Sequence, residues 1–151
     1  MAIKKKPRRR LKKSGVVYFA VNNRNQEIVK IGMTTDTAES RLIVANRKHE
    51  FMCGTWTISQ KVATNDVKRT EELAHTIFSM YKDDESVSSE MYYIPEGMTV
   101  KKMADHVREK DKIMQDQILK KEKALEQIKE AQLELDKLNE ETIEMISLKE
   151  D

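Results

Sequence analysis

From Thr99 to Asp151 the sequence contains neither glycine nor proline, and charge is dense throughout. Those two residues are the strongest interrupters of a helix, so the run predicts one long, continuous helix. A helix of that length is not stable alone in water on propensity and must lie against something. Any compact domain then has to be built from the residues before it. Composition points the same way. Of 151 residues, 36% are charged, 38% hydrophobic and only 5% aromatic, leaner than one compact domain of this size requires.

The predicted helix carries a heptad frame with a positions at 100, 107, 114, 121, 128, 135 and 142, and d positions three residues after each. Ten of these fourteen are apolar, and Lys110, Gln117, Lys121 and Thr142 interrupt them. Ile118, Leu125 and Ile146 at e positions widen the stripe beyond a strict coiled-coil seam. The expected partner is a second copy of the chain in a coiled coil, or another protein. A solvated charged helix is the remaining alternative.

At the other end, residues 1–14 hold eight basic residues (Lys4, Lys5, Lys6, Arg8, Arg9, Arg10, Lys12, Lys13) and no acid. The overall net charge of +2 therefore conceals a balance of −6 over the rest. Such an arm is expected to be disordered while unbound and to seek phosphate, which makes DNA the expected partner. A solubility tail or an RNA-sticky tail has the same charge. Residues 15–97 hold nine basic and twelve acidic residues, and only Arg41, Arg47 and Lys48 form a locally basic cluster. Arg47 and Lys48 join the expected nucleic-acid-binding set.

Cys53 is the sole cysteine, so an internal disulfide or a multi-cysteine zinc site is excluded. No stretch approaches the roughly 20 apolar residues of a membrane span, and the basic arm lacks the apolar segment of a signal peptide. These features lead to the expectation of a soluble, cytoplasmic protein.

The expected domain occupies residues 15–97, with residues 98–151 as the helix. VVYFAV and IVKIG alternate with period two around a polar NNRNQE segment, a β-hairpin pattern. Val17, Phe19, Val21, Val29 and Ile31 share one face as the expected core, which puts Tyr18 and Lys30 on the opposite face. A helix capped by Asp36 or Thr37 follows, with Ala38, Leu42 and Ala45 as its apolar stripe. A third strand runs through FMCGTWTISQKV. A second helix covers about 65–82 with Leu73, Ile77 and Tyr81 on one side, and EMYYI closes the sheet. The expected class is α+β, an antiparallel sheet flanked by helices in the order ββαβαβ.

"VVY" (16–18), "KIG" (30–32), Thr34, Arg41, and Glu71 with His75 in "TEELAHTIF" together resemble the GIY-YIG nuclease superfamily. The likeness is greatest to a phage-encoded branch with K-I-G for Y-I-G, often described as DNA-binding, and it covers roughly residues 15–95. The resemblance implies metal-dependent hydrolysis of a DNA phosphodiester in the cytoplasm, that of the host cell for a phage-encoded chain. Tyr18 would be the general base or position the attacking water, and Arg41 would stabilise phosphoryl charge. Glu71 would hold Mg²⁺ or Mn²⁺.

Lys30 stands where the second family tyrosine would be, and fits a point-charge clamp on phosphate. His75 is a phosphate or water contact, or a packed helix residue. Glu71 and His75 at i, i+4 lack the second histidine or cysteine that zinc would need. Glu90 is the one acid near the closing strand placed to assist. A non-catalytic DNA-binding regulator of the same fold, and an adaptor acting through the C-terminal helix, are the alternatives.

Overall fold

The computed structural model describes residues 11–48, 54–85 and 90–149; of Lys48 it describes the backbone alone. Lys4, Lys5, Lys6, Arg8, Arg9, Arg10, His49 and Cys53 lie outside the described residues. The elements are β1 (Gly15–Asn22), β2 (Ile28–Thr34), α1 (Ala38–Lys48), β3 (Trp56–Thr64), α2 (Val67–Ile77), β4 (Met91–Tyr93) and α3 (Val100–Lys149), with a single 3₁₀ turn at Ser79–Tyr81. The fold is α+β. Its four strands form one antiparallel sheet in the order β3-β1-β2-β4.

The hairpin register pairs Val21 with Val29 and Tyr18 with Gly32. Odd-numbered hairpin residues therefore face one way and even-numbered ones the other. Val17, Phe19, Val29 and Ile31 pack with Val62, Val67, Ala74, Phe78 and Tyr92, the larger of two apolar clusters. Val21, expected among them, is only half-buried. A register shift between Phe19 and Ala20 in the β1–β3 pairing sends Ile58 and Val62 to opposite faces.

The second face is covered as well. Tyr18, Ala20, Ile28, Ala38, Leu42, Trp56 and Met91 form a separate cluster under α1. Thr37 caps α1 by accepting from the Ser40 amide at 3.2 Å. Asn46 then ties the helix to β3, accepting from Trp56 N at 2.9 Å and donating to Trp56 O at 3.0 Å.

On α2 the buried residues are Val67, Thr70 and Ala74, followed by Phe78. Leu73 and Ile77 are half-buried, and Tyr81 is off the helix and 41% exposed. The helix stops at Ile77, so the expected stripe loses its last member and rotates by one position.

The compact unit runs to Asp111, past Gly97 where the sequence reading places the boundary. Gly97 takes φ +74°, and Thr99 caps α3 through the Lys102 amide at 3.2 Å. The first turns of α3 bury Met103, Ala104 and Val107 in the larger cluster. These are heptad residues spent inside the domain. Asp111 closes the unit: it is 4% exposed, and accepts from Thr70 Oγ1 at 3.0 Å and from Arg69 Nη2 at 3.3 Å. Residues 112–149 form a second unit, the rest of the same helix.

Candidate active site

The hairpin sets the first half of the site. Lys30 and Tyr18 sit on adjacent strands of the α1 face, buried to 0% and 1% exposure. Lys30 Nζ donates to Tyr18 Oη at 2.5 Å and lies 4.7 Å from the ring centroid. The same ammonium meets Glu90 Oε2 at 3.0 Å. The sequence parity of the two side chains thus agrees with the structure, but their surroundings differ from those of a solvent face. Ala38 and Leu42 of α1 pack in the same cluster as Tyr18.

Gly32 makes the cluster possible. A β-carbon there would lie 2.6 Å from Tyr18 Oη, 2.7 Å from Tyr18 Cζ and 3.1 Å from Glu90 Oε2. The phenol occupies the volume that any other residue at position 32 would fill. Nothing in the strand pattern shows this; it appears only when register places Tyr18 opposite Gly32.

The second half arrives from α2. His75 Nε2 is 3.1 Å from the carbonyl oxygen of Ile31. A carbonyl only accepts, so Nε2 carries the proton. The other nitrogen, Nδ1, faces Glu71 Oε1 at 3.9 Å, an electrostatic contact too long for a hydrogen bond. The imidazole stacks on Tyr92 with centroids 5.4 Å apart. His75 thus reaches β2 at the residue after Lys30, and Lys30 and Glu90 lie within electrostatic reach of Glu71.

Burial pushes the Glu71 carboxyl above its ordinary 4.5. His75 and Lys30 pull it down, while Glu90 and Glu72 add to the rise. Tyr92 is pushed up to about 12 by burial and by the charges of Glu71 and Glu90. It stays a neutral phenol at working pH.

Glu71 Oε2 is buried without a hydrogen-bond partner. A lone carboxylate oxygen of this kind fits a hard divalent cation held by one carboxylate plus water and phosphate. Among the described residues no group of three His, Cys, Asp or Glu is placed to hold a metal.

Arg41 is half-buried on α1, next to Leu42 of the Tyr18 cluster. Arg47 is exposed near the end of the same helix. Lys12 and Lys13 are exposed, and the Lys13 carbonyl accepts the Val67 amide at 2.9 Å, fixing the root of the basic arm at the start of α2. Tyr92, stacked on His75, is a member of the site that the sequence reading places only within the closing strand EMYYI. Its alternation with Met91 was visible, but its stacking depends on where α2 docks.

The fold and this cluster define a small, nuclease-like α+β domain. The chain belongs to the T5orf172 domain family, a phage-type, DNA-related domain whose match covers residues 15–110. That span ends one residue before the compact unit does. No curated protein and no solved structure matches the chain. No helix of the described residues is long and apolar enough to cross a membrane.

Proposed function

We propose that the domain is a GIY-YIG-type, divalent-metal-dependent endonuclease that hydrolyses DNA phosphodiesters in the cytoplasm. One observation carries this reading: the Lys30 ammonium rests on the Tyr18 hydroxyl within the electrostatic reach of Glu71. The ammonium sets a positive charge and a hydrogen-bond donor on the phenol oxygen, where a group that handles a proton of water needs a partner. Tyr18 would take the proton or orient the attacking water. Lys30 would hold Tyr18 ready, doing for the base what a second tyrosine could not. Arg41 would stabilise charge on the phosphoryl oxygens as a planar, permanent cation. Glu71 would hold Mg²⁺ or Mn²⁺, which when bound neutralises phosphate charge. His75 would orient Glu71, and the basic arm would supply affinity. The long helix serves assembly.

The test is nicking of supercoiled plasmid with Mg²⁺ or Mn²⁺. Glu71→Gln, Arg41→Ala and Tyr18→Phe should each lower the rate by roughly 10²-fold or more. Nicking that persists in the Glu71 and Arg41 variants would overturn the assignment.

Burial of Tyr18 and Lys30, with Glu90 neutralising the lysine, favours a second reading: DNA binding without hydrolysis. Its signature is a gel shift by the full chain and no nicking with either metal.

A further inference from the structure

Residues 112–149 continue α3 with their apolar side chains in solvent: Ile128 is 64% exposed, Leu135 51% and Leu138 59%. We propose that this segment pairs antiparallel with the same segment of a second copy of the chain. The inference rests on the helix alone and does not depend on hydrolysis.

Charge is distributed unevenly along the segment. Residues 112–129 hold five lysines and three acids, whereas residues 130–149 hold six acids and two lysines. Laid head to tail, the basic half of each helix covers the acidic half of the other. Laid parallel, acidic half meets acidic half. Like charges set against one another select against the second arrangement.

The core layers choose the same orientation and fix its register. In an antiparallel pair an a residue faces a d residue. With Ile128 opposite Ala131 of the second copy, Leu135 falls opposite Ala124 and Met114 opposite Met145. In the first two layers a large aliphatic meets a small one, the alternation that fills a narrow seam. The polar interruptions also find one another, Gln117 opposite Thr142. Lys121 lies along Leu138, with its ammonium able to reach out to the flanking acids. At the g positions Lys120 comes opposite Glu141, twice per pair by symmetry.

The parallel alternative stacks each residue on itself. Lys121 would meet Lys121 in the seam, and Ala124 and Ala131 would each leave a thin layer. Its flanking pairs would have no charge partners, since Ile118, Leu125, Gln132, Asn139 and Ile146 occupy the e positions.

The experiment uses the full chain with Cys53→Ser, so that introduced thiols are the only ones. Light scattering should give twice the 17.6 kDa chain mass, and Leu135→Asp should give the single mass. Lys120→Cys combined with Glu141→Cys should form a covalent dimer on mild oxidation. Within one helix the two thiols are ~32 Å apart and cannot join. Each single cysteine variant should stay uncrosslinked. Lys120→Glu should weaken association about 10-fold, and adding Glu141→Lys should restore it. A chain of single mass, a trimer or larger, or crosslinking by either single cysteine would overturn the proposal.

Discussion

Alanine at position 32 would bring its β-carbon within 2.6 Å of the Tyr18 oxygen, so either the phenol or the strand must move. Overpacking of this kind costs about 1–3 kcal/mol. Gly32→Ala should melt several degrees lower and, like Tyr18→Phe, abolish nicking. Glu71 gives the opposite sign. Its carboxyl is raised in the fold, so the charged form is penalised once pH exceeds the ordinary 4.5 and climbs through the raised value. Below 4.5 the group is neutral in both folded and unfolded chains, and the penalty vanishes. Glu71→Gln should therefore raise the melting temperature at about pH 8 and leave it unchanged at about pH 4. A stabilised but inactive variant is what a strained functional carboxylate produces. Of this cluster, the sequence showed which side of the hairpin Tyr18 and Lys30 take, because strand parity is local. It did not show that they are buried, because Tyr18 is covered by Ala38 and Leu42 and Lys30 is met by Glu90, all from other parts of the chain.

Among the elements, α3 departs furthest from its local pattern. Its heptads look uniform, yet Met103, Ala104 and Val107 belong to the domain core and Asp111 to a buried polar lock. Periodicity reports an apolar face without naming what covers it, so the boundary at Gly97 was natural to read and short of the compact unit. A chain ending at Gly97 should fail to fold, while one ending near Lys112 should give a cooperative melt by circular dichroism. Asp111→Ala removes one of the partners of Thr70 and of Arg69 and should cost about 1–3 kcal/mol, measured by denaturant unfolding. The order of elements was legible because each strand and helix carries its own period. The stripe on α2 was not: Phe78 replaces Tyr81 only because the helix ends at Ile77.

Across the whole molecule, the charge distribution sets what the proposed DNA binding should look like. Residues 15–97 are acidic on balance, so affinity should come chiefly from the arm. Deleting residues 1–10 should flatten the slope of log affinity against log salt, read by fluorescence anisotropy. The change should be about 0.9 for each phosphate that the arm no longer neutralises. One further consequence follows if residues 112–149 pair as proposed, because α3 is one helix whose first turns belong to the core. Pairing would consume only chains whose helix is formed, and unfolding the core would dissolve that helix's first turns. Self-assembly and domain folding are then thermodynamically linked, and dilution acts as a mild denaturant: the midpoint of thermal unfolding climbs with protein concentration, and Leu135→Asp makes it concentration-independent.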